Sequence, residues 1–492
     1  MINKYLDKSV FIKQCAQTRP IALITLMALS LLSLEIITPA CAGESLPAQV
    51  LTELSRQKIP PEAISVVVYR LDRAHINTQS NNYLLSYNAN IARNPASLTK
   101  LVTTSAALDL LGPAFVWTTQ VFLDGPIVDG VLTGNLYIKG QGDPKLSVER
   151  LWLLMRRIKG LGIQSIQGDI VLDHQAFEST AFDAGEFDGE PLRPYNASPD
   201  ALLINFKSLL INFVPDSQAK VVRIHAEPPL AGVRIQPTVP LVSGECSDYR
   251  AALKAEFQDP SQILFKGQYA LSCGERIWPV AYVDPAHYAG KAVDGMWHEL
   301  GGSIGGQVRE GIVPTTLKPI FSVDSPQLAD VIRDINKYSN NVMAQQLFLT
   351  LGAQINNAAS SESARSVLSQ WWAQKIGSSP PKLDNGSGLS RVTQMSAQDF
   401  ANLLCWIYGQ PIYPEISSSL PLSGVDGTLK GSRVKPRGHI KTGSLKGVIG
   451  IAGYVPSSSG QDFVVVGIIN HPNANSARSV FDSIVDWAGS QK

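Results

Sequence analysis

The chain of 492 residues has little of what a metal site or a nucleic-acid surface requires. Its seven histidines are scattered, its five cysteines form no Cys-x-x-Cys pair, and His-Glu-x-x-His does not occur. Metal binding is therefore disfavoured, and we expect no cofactor. Basic and acidic residues nearly balance, 42 against 41. No basic excess is present that would recruit nucleic acid.

A long apolar run lies at the start of the chain, from Ile21 to Ile37, behind basic residues and ahead of Ala40-Cys41-Ala42. This pattern predicts a secretory signal peptide over residues 1–42 and an exported protein of the periplasm or cell envelope. A retained anchor is the alternative, because the run is near the lower length for spanning a bilayer. Residues 1–42 hold four of the 42 basic and two of the 41 acidic side chains, which leaves 38 against 39, a net charge of −1.

The roughly 450 remaining residues exceed what one core usually serves, and this length predicts two to four domains. A β-branched strand over 63–71 and apolar strands over about 439–470 lie far apart in sequence but are similar in type, so we expect them to share one sheet. Residues 114–290 contain short β-like runs with many Gly and Pro. The predicted organisation is one domain from 43–113 with 291–492, interrupted by a β-rich insertion at 114–290.

Three cysteines lie beyond the predicted signal peptide. Cys246 and Cys273 sit in polar surroundings, separated by a segment that could form a hairpin, and we expect them to form a disulfide in an oxidising compartment. Cys405 lies within an apolar helical pattern and is expected to be a buried, small apolar residue.

Ser97 and Lys100 lie directly behind the Asn94-Pro95 breaker, at the start of a predicted helix that ends before Gly112. Residues three apart share one face of a helix. A serine hydroxyl is a weak nucleophile that needs a base nearby, and a lysine can supply one if its pKa is lowered by burial or by other cations. The spacing alone is weak evidence, since Ser-x-x-Lys also occurs elsewhere in the chain.

Two further motifs change this assessment. Ser339-Asn340-Asn341 follows a predicted helix, and Lys441-Thr442-Gly443 lies on a predicted strand. The three motifs in this order match the set found in β-lactamases and penicillin-binding proteins. We therefore interpret Ser97, Lys100, Ser339, Asn341 and Lys441 as a catalytic group.

Each residue has a chemical reason to be there. Ser97 would attack a carbonyl while neutral Lys100 accepts its proton, and Ser339 would pass that proton towards the leaving amine. Asn341 offers an amide for the lysine and the substrate backbone. Lys441 would bind a substrate carboxylate and lower the pKa of Lys100.

The strand that carries Lys441 adds further groups. Thr442 and Ser444 provide hydroxyl donors, and Gly443 permits close approach of a ligand. The backbone N–H groups of Ser97 and Ser444 would form the oxyanion hole.

The chain resembles the penicillin-binding protein 4 type of D-alanyl-D-alanine carboxypeptidase/endopeptidase. The resemblance is carried by the three motifs and by the stretches GQGDPKL, YNASPDALLINF, DNGSGLSR and LPLSGVDGTLK. The resemblance implies an α/β (α+β) fold, with a five-stranded antiparallel sheet flanked by helices and with the β-rich insertion at 114–290 forming two small domains. It also implies cleavage of peptidoglycan stem peptides or crosslinks through an acyl-serine that β-lactams trap. Peripheral contact with a membrane and the oligomeric state stay open.

The resemblance also points to substrate-binding residues outside the three motifs. Arg391 matches a position near the substrate, with a loop ion pair as the alternative. An acidic and an aromatic residue of the insertion should face the site, and Glu190 (or Asp188) and Tyr195 are the candidates.

Two other functions are consistent with the same residues. A β-lactamase or esterase on this fold would need a dedicated way to activate water, and no Glu-x-x-x-Asn lies between the second and third motifs. That absence argues against one lactamase class. A non-catalytic cell-wall binding protein is the alternative from another class, although every expected catalytic side chain is present.

Overall fold

The computed structural model describes residues 45–72, 82–178 and 182–491. The predicted signal peptide lies outside these ranges. The helices of the described residues are α1 Ala48–Arg56, α2 Thr99–Leu111, α3 Val148–Lys159, α4 Tyr249–Leu253, α5 Tyr288–Glu299, α6 Leu328–Lys337, α7 Asn341–Asn356, α8 Ser361–Lys375, α9 Ala397–Tyr408, α10 Tyr413–Ser419 and α11 Arg478–Gly489. None of these helices combines the length and the apolar character that a bilayer span requires.

The strands of the described residues are β1 Ile64–Arg70, β2 Tyr83–Tyr87, β3 Thr118–Leu123, β4 Ile127–Val128, β5 Val131–Leu132, β6 Leu136–Lys139, β7 Ser165–Ile166, β8 Ile170–Asp173, β9 Ser208–Asp216, β10 Val221–Glu227, β11 Arg234–Ile235, β12 Thr238–Val242, β13 Ala255–Glu256, β14 Gln262–Phe265, β15 Tyr269–Ala270, β16 Arg276–Ala281, β17 Ser303–Ile304, β18 Val308–Glu310, β19 Phe321–Asp324, β20 His439–Leu445, β21 Val448–Pro456 and β22 Asp462–Asn470.

Both ends of the chain contribute to one five-stranded sheet in the order β2-β1-β22-β21-β20. All four neighbouring pairs are antiparallel, with Val66 opposite Gly467 and Thr442 opposite Ile451. The prediction that strands near 65 and 450 share a sheet is therefore confirmed, as is the α/β fold class. The site-bearing strand β20 lies at one edge of this sheet, where a substrate can reach its backbone.

The sheet is covered on both faces because its strands are apolar at successive positions. Val67 and Tyr69 of β1 belong to the core formed with α2 and α6 to α9. Val66 and Val68 point the other way, into the core formed with α1 and α11. This alternation follows from the two-residue period of a strand. Burial of each such side chain stabilises the fold by about 1.5 to 3 kcal/mol.

Helix α2 lies at the centre of the larger core. Residues 99–108 are all buried, including the polar Thr103 and Thr104. A helix buried on every side must satisfy its polar groups internally. The hydroxyl of Thr104 donates to the carbonyl of Lys100, and that of Thr103 donates to the carbonyl of Gly386. The helix that carries the first motif is thereby held rigidly.

The region between the two ends of the chain forms further sheets on a second core. One sheet has the order β18-β8-β6-β3-β19, and another has the order β15-β12-β10-β9-β16. By strand pairing, β18 and β19 lie with the inserted strands, and α5 packs into the same core. Residues 291–324 therefore lie with the insertion, beyond the expected boundary at 290. The strands involved are two to four residues long, and so short a run carries little periodic signal.

The second core also contains the disulfide. Cys246 and Cys273 are joined, with 27 residues of sequence separation between them. Cys405 is free and buried in the larger core. Burial raises the pKa of the Cys405 thiol to about 12.

A largely buried polar cluster joins the insertion to α7. Asp200 contacts His174 Nδ1 at 2.5 Å and Lys207 Nζ at 2.8 Å. The side-chain amide of Gln346, on α7, bonds both the backbone N–H and the carbonyl of Asp200. Burial alone would raise the pKa of Asp200, but the hydrogen bond with His174 and the charge of Lys207 hold it far below its usual range. The cluster anchors the insertion to the helix that begins at the second motif.

The segment Asp324-Ser325-Pro326 has the sequence pattern of a helix cap followed by proline, but the helix begins later, at Leu328, with Gln327 as its N-cap. Asp324 instead ends β19, where it pairs with Thr118. Sheet pairing takes precedence over the local capping signal here.

Candidate active site

The first motif occupies the junction of a short 3-10 turn, Ala96–Leu98, and α2. Ala96 is buried and adopts a left-handed backbone with φ +50°. A non-glycine residue in this region is strained, typically by about 1 to 3 kcal/mol, and such strain clusters at functional sites. The turn places Ser97 Oγ 3.0 Å from Lys100 Nζ.

Lys100 is fully buried and makes three hydrogen bonds. Its Nζ lies 2.7 Å from Asn341 Oδ1 and 2.6 Å from the carbonyl oxygen of Ser387, besides Ser97 Oγ. No carboxylate of the described ranges forms an ion pair with it. Burial, and secondly the nearby charge of Lys441, lower the pKa of Lys100 well below its ordinary value.

The second motif forms the turn between α6 and α7. Ser339 has a left-handed backbone with φ +57°, and Asn340 caps α7 by accepting from the N–H of Met343. Asn341 is the first residue of the helix. Its amide oxygen meets Lys100, and its Nδ2 donates to the carbonyl of Tyr195 at 3.4 Å. The asparagine thus links Lys100 to the insertion.

The third motif lies on the edge strand β20. Lys441 is fully buried, and its Nζ donates to Ser339 Oγ at 2.9 Å and to the carbonyl of Thr442 at 2.7 Å. Burial lowers the pKa of Lys441 to about 7. The Thr442 hydroxyl shares a 2.7 Å hydrogen bond with that of Thr428. Two buried amines therefore lie in one site, each bonded to a serine hydroxyl.

Gly443 is the point where β20 approaches the nucleophile turn most closely. A Cβ added there would lie 2.6 Å from the carbonyl oxygen of Pro95 and 3.2 Å from the backbone nitrogen of Ser97. Only glycine permits this approach without displacement. The close contact sets the N–H of Ser97 beside the strand that carries the N–H of Ser444.

The predicted substrate-binding residues of the insertion and of the 385–391 loop differ in the groups that they contact. Tyr195 contacts Asn341 through its carbonyl, and its hydroxyl donates to Asp188 at 2.9 Å. Glu190 is exposed and pairs with Arg193 at 3.4 Å. Arg391 donates to the carbonyl of Lys446 at 3.0 Å and lies 4.8 Å from the ring centre of Phe187.

Two cavities open on either side of the contact between Tyr195 and Asn341. The Ser339 cavity, of about 880 Å³, is lined by Tyr338 and Ser339 together with residues of the insertion, including Glu190, Arg250 and Trp278. The Arg391 cavity, of about 470 Å³, is lined by Phe187, Ser387 and Arg391. Tyr195 therefore lines both cavities, whereas Arg391 lines only the second and Glu190 only the first.

Three groups near the motifs were not anticipated from the sequence. The carbonyl of Ser387 accepts from Lys100, Thr428 bonds Thr442, and Asn475 donates to Ser444 Oγ at 3.3 Å. Ser387 and Thr428 lie within DNGSGLSR and LPLSGVDGTLK, stretches that carried the family resemblance. A backbone carbonyl has no side-chain signature, so only those turns could have pointed to it.

No group of three or more His, Cys, Asp or Glu side chains in the described part of the chain could hold a metal ion. The functional groups in this site are hydroxyls, amides and amines. This donor set suits acyl transfer to a serine, with the amines handling protons and negative charge.

Known proteins with similar sequences were found across nearly the whole chain. Residues 70–491 match the model of the family described as the D-Ala-D-Ala carboxypeptidase 3 (S13) family. The D-alanyl-D-alanine carboxypeptidase DacB of Haemophilus influenzae is 26% identical over 406 residues, which cover 80% of this chain and 84% of that protein. The D-alanyl-D-alanine carboxypeptidase of Actinomadura sp. is 25% identical over 429 residues, with 81% and 78% covered.

Solved structures show the same fold. Penicillin binding protein 4 from Haemophilus influenzae superposes with a TM-score of 0.72 at 24% identity, covering 90% of this chain and 99% of that one. The same protein in complex with a β-lactam gives a TM-score of 0.65, with 89% and 100% covered. At this identity the likeness is one of fold.

Proposed function

Because the chain belongs to the D-Ala-D-Ala carboxypeptidase 3 (S13) family, we propose that this serine-type D-Ala-D-Ala carboxypeptidase acts through an acyl-enzyme on Ser97. Its substrates would be peptidoglycan stem peptides ending in D-Ala-D-Ala and peptide crosslinks, and β-lactams would acylate the same hydroxyl. The observation that carries the proposal is a fully buried lysine amine, Lys100, 3.0 Å from Ser97 Oγ and without a carboxylate partner among the described residues.

In the acylation step, neutral Lys100 accepts the hydroxyl proton of Ser97 while the oxygen attacks the carbonyl carbon of the penultimate D-Ala. A neutral amine can donate two hydrogen bonds and accept one. Donation to Asn341 and to the carbonyl of Ser387 leaves the lone pair for the Ser97 proton. The hydrogen-bond set of Lys100 thus suits a neutral base.

The tetrahedral oxyanion would be held by the N–H groups of Ser97 and Ser444, a contribution typically worth about 10² to 10³ in rate for each donor. When the peptide bond breaks, the leaving amine needs a proton. Ser339 can relay it, because its hydroxyl lies 2.9 Å from Lys441 Nζ and it borders the same site. Lys441 would also attract the carboxylate of the departing D-Ala.

Deacylation runs the same proton path in reverse. Water takes the place of the leaving amine, a lysine amine accepts its proton, and attack on the ester carbonyl releases the shortened peptide and free Ser97. No carboxylate base is required for these steps. We expect slow deacylation of penicillin adducts, because these amines alone would activate water, with no carboxylate of the described residues paired to Lys100 or Lys441.

Mass measurement of the benzylpenicillin adduct, with peptide mapping, tests the assignment. We expect one penicilloyl group on the peptide that contains Ser97, no adduct in Ser97→Ala, and release of D-alanine from a pentapeptide substrate by the wild-type protein. An adduct that persists in Ser97→Ala would overturn the nucleophile. An adduct that turns over within seconds would instead favour a β-lactamase.

Export is part of the same proposal, since peptidoglycan lies outside the cytoplasm. The predicted signal peptide over residues 1–42 supports it. N-terminal sequencing of the protein recovered from the cell envelope should begin at Gly43. Recovery of the full-length chain in the cytoplasm would contradict export.

A further inference from the structure

We propose that the Ser339 cavity binds the leaving strand of a crosslinked peptidoglycan substrate, and that Arg250 pairs with a carboxylate of that strand. This inference rests on the acyl-enzyme function proposed above and adds to it a second binding site on the insertion. The strand would be recognised as an anionic peptide.

The position of the cavity determines which part of a substrate it can hold. The Ser339 and Arg391 cavities share Tyr195 and Asn341, but only the first is lined by Ser339. Ser339 and its hydrogen-bond partner Lys441 are the groups assigned to the leaving amine and its carboxylate. The Ser339 cavity therefore continues from the leaving-group side of the scissile bond.

The size of the cavity exceeds what the carboxypeptidase reaction needs. In that reaction the leaving group is a single D-alanine, whereas a cavity of about 880 Å³ is in the range that holds far larger ligands. In a crosslink the leaving group is an entire stem peptide that carries free carboxylates. The cavity thus has room for the larger leaving group.

Arg250 supplies the charge in the cavity wall. Its guanidinium carbon lies 5.7 Å from the ring centre of Tyr249 and 5.4 Å from that of Trp278, and its Nε donates to the Tyr249 hydroxyl at 3.2 Å. Two aromatic contacts and one hydrogen bond hold the planar guanidinium group in place, and its other N–H donors are left for an anion.

No carboxylate of the described ranges forms an ion pair with Arg250, although acidic residues are close in sequence. The carboxylate of Asp248 caps α4 by accepting from the backbone N–H groups of Arg250 and Ala251. Arg193, the other arginine of this cavity, is already paired with Glu190. Arg250 is therefore the cationic side chain of the cavity wall with charge left for a substrate carboxylate.

The test compares three reactions of Arg250→Met and of a matched control, Arg276→Met. Arg276 is an exposed arginine on β16, two residues from Trp278, and it does not line the cavity. The reactions are cleavage of a crosslinked muropeptide dimer, release of D-alanine from a pentapeptide, and acylation by benzylpenicillin. We expect Arg250→Met to lower kcat/KM for the dimer by about 10- to 30-fold, since one charge-assisted hydrogen bond is lost.

The other two reactions should stay within about twofold of wild type in Arg250→Met, which also shows that the variant is folded. Arg276→Met should leave all three unchanged, and Arg250→Lys should retain part of the dimer activity. A dimer whose leaving-strand carboxylates are amidated, other than the one beside the scissile amine that is assigned to Lys441, should be cleaved about as slowly by wild type as the free dimer is by Arg250→Met, with no further loss in the variant.

Four results would overturn the inference. Two concern Arg250→Met: unchanged cleavage of the dimer, or an equal loss in all three reactions. The third is an amidated dimer whose cleavage falls in Arg250→Met as much as that of the free dimer, and the last is a wild-type protein that releases D-alanine but leaves dimers intact. In the last case the carboxypeptidase part of the proposed function stands, whereas its crosslink substrates and the second site both fail. If the wild-type protein is not acylated by benzylpenicillin at all, the proposed function itself fails.

Discussion

Replacing Asn341 by Asp tests whether the reaction depends on a neutral Lys100. The substitution keeps the size of the side chain and puts a carboxylate oxygen where the amide oxygen now lies, 2.7 Å from Lys100 Nζ. At that distance and an effective dielectric constant of about 20, two opposite charges attract by about 6 kcal/mol. Desolvation of the carboxylate and solvent screening at the half-buried residue 341 offset much of this attraction.

The net effect is to favour the charged form of Lys100, in the opposite direction to burial and the charge of Lys441. If Lys100 is the base proposed above, it acts only when neutral, so acylation should rise with pH through its pKa and reach a plateau above it. Raising that pKa moves the rising limb of the pH–rate profile to higher pH. Opposite charges at close range typically move such a limb by about one to three pH units, which lowers acylation about 10- to 1,000-fold on the limb.

The assay is the second-order rate constant for acylation by benzylpenicillin, measured from pH 5 to pH 10 for wild type, Asn341→Asp and Asn341→Ala. The alanine variant removes the amide without adding charge, so its rate should be lower at every pH while its limb stays near that of wild type. The aspartate variant should regain activity at alkaline pH. If the wild-type and aspartate profiles have the same shape, Lys100 is not the base that sets the pH dependence.

Three further predictions concern packing and stability. Gly443→Ala should lower the rate of acylation by penicillin by about 10²- to 10³-fold, with little change in melting temperature. The reason is that the added Cβ pushes β20 away from Pro95 and from the proposed oxyanion donors. Wild-type acylation kinetics in this variant would refute the close approach. Replacing both Cys246 and Cys273 by Ser should lower the free energy of unfolding of the insertion by about 3 to 4 kcal/mol, the value expected for a disulfide that closes a loop of 27 residues. Acylation of the folded protein should stay unchanged. Unaltered thermal unfolding would contradict the stabilising role of this disulfide. Asp200→Asn should destabilise the protein by about 3 to 5 kcal/mol, since His174 and Lys207 lose their largely buried anion. An equal effect of the control Asp216→Asn, which breaks an ion pair with the exposed Arg223, would contradict this reading.

The local structure of the three motifs was predictable because each depends on near neighbours in sequence. Ser97 and Lys100 share a face since three residues make about one helical turn. The β-branched segments near 65 and 450 read as strands of one sheet, and the structure has them paired through β1 and β22. The C-terminal boundary of the insertion was harder to predict from the sequence, because strands as short as β18 pair with strands more than a hundred residues away.

The candidate substrate-binding residues outside the motifs could also not be identified from the sequence alone. Glu190 and Asp188 are two residues apart and equally acidic, yet only Asp188 bonds the Tyr195 hydroxyl. The carbonyl of Ser387 was invisible as a ligand of Lys100 because every residue has a carbonyl. Such choices depend on backbone direction in loops, which no periodic pattern encodes.

The amino-acid sequence by itself determined the identity and order of the reactive side chains and the helix, turn and strand that carry them. What only the tertiary structure decided is the electrostatic state of those side chains. Lys100 has its pKa lowered because segments near residues 341, 387 and 441 close around it and exclude water. Desolvation and the approach of a second amine are properties of groups distant in the chain, so they arise only when the chain has folded.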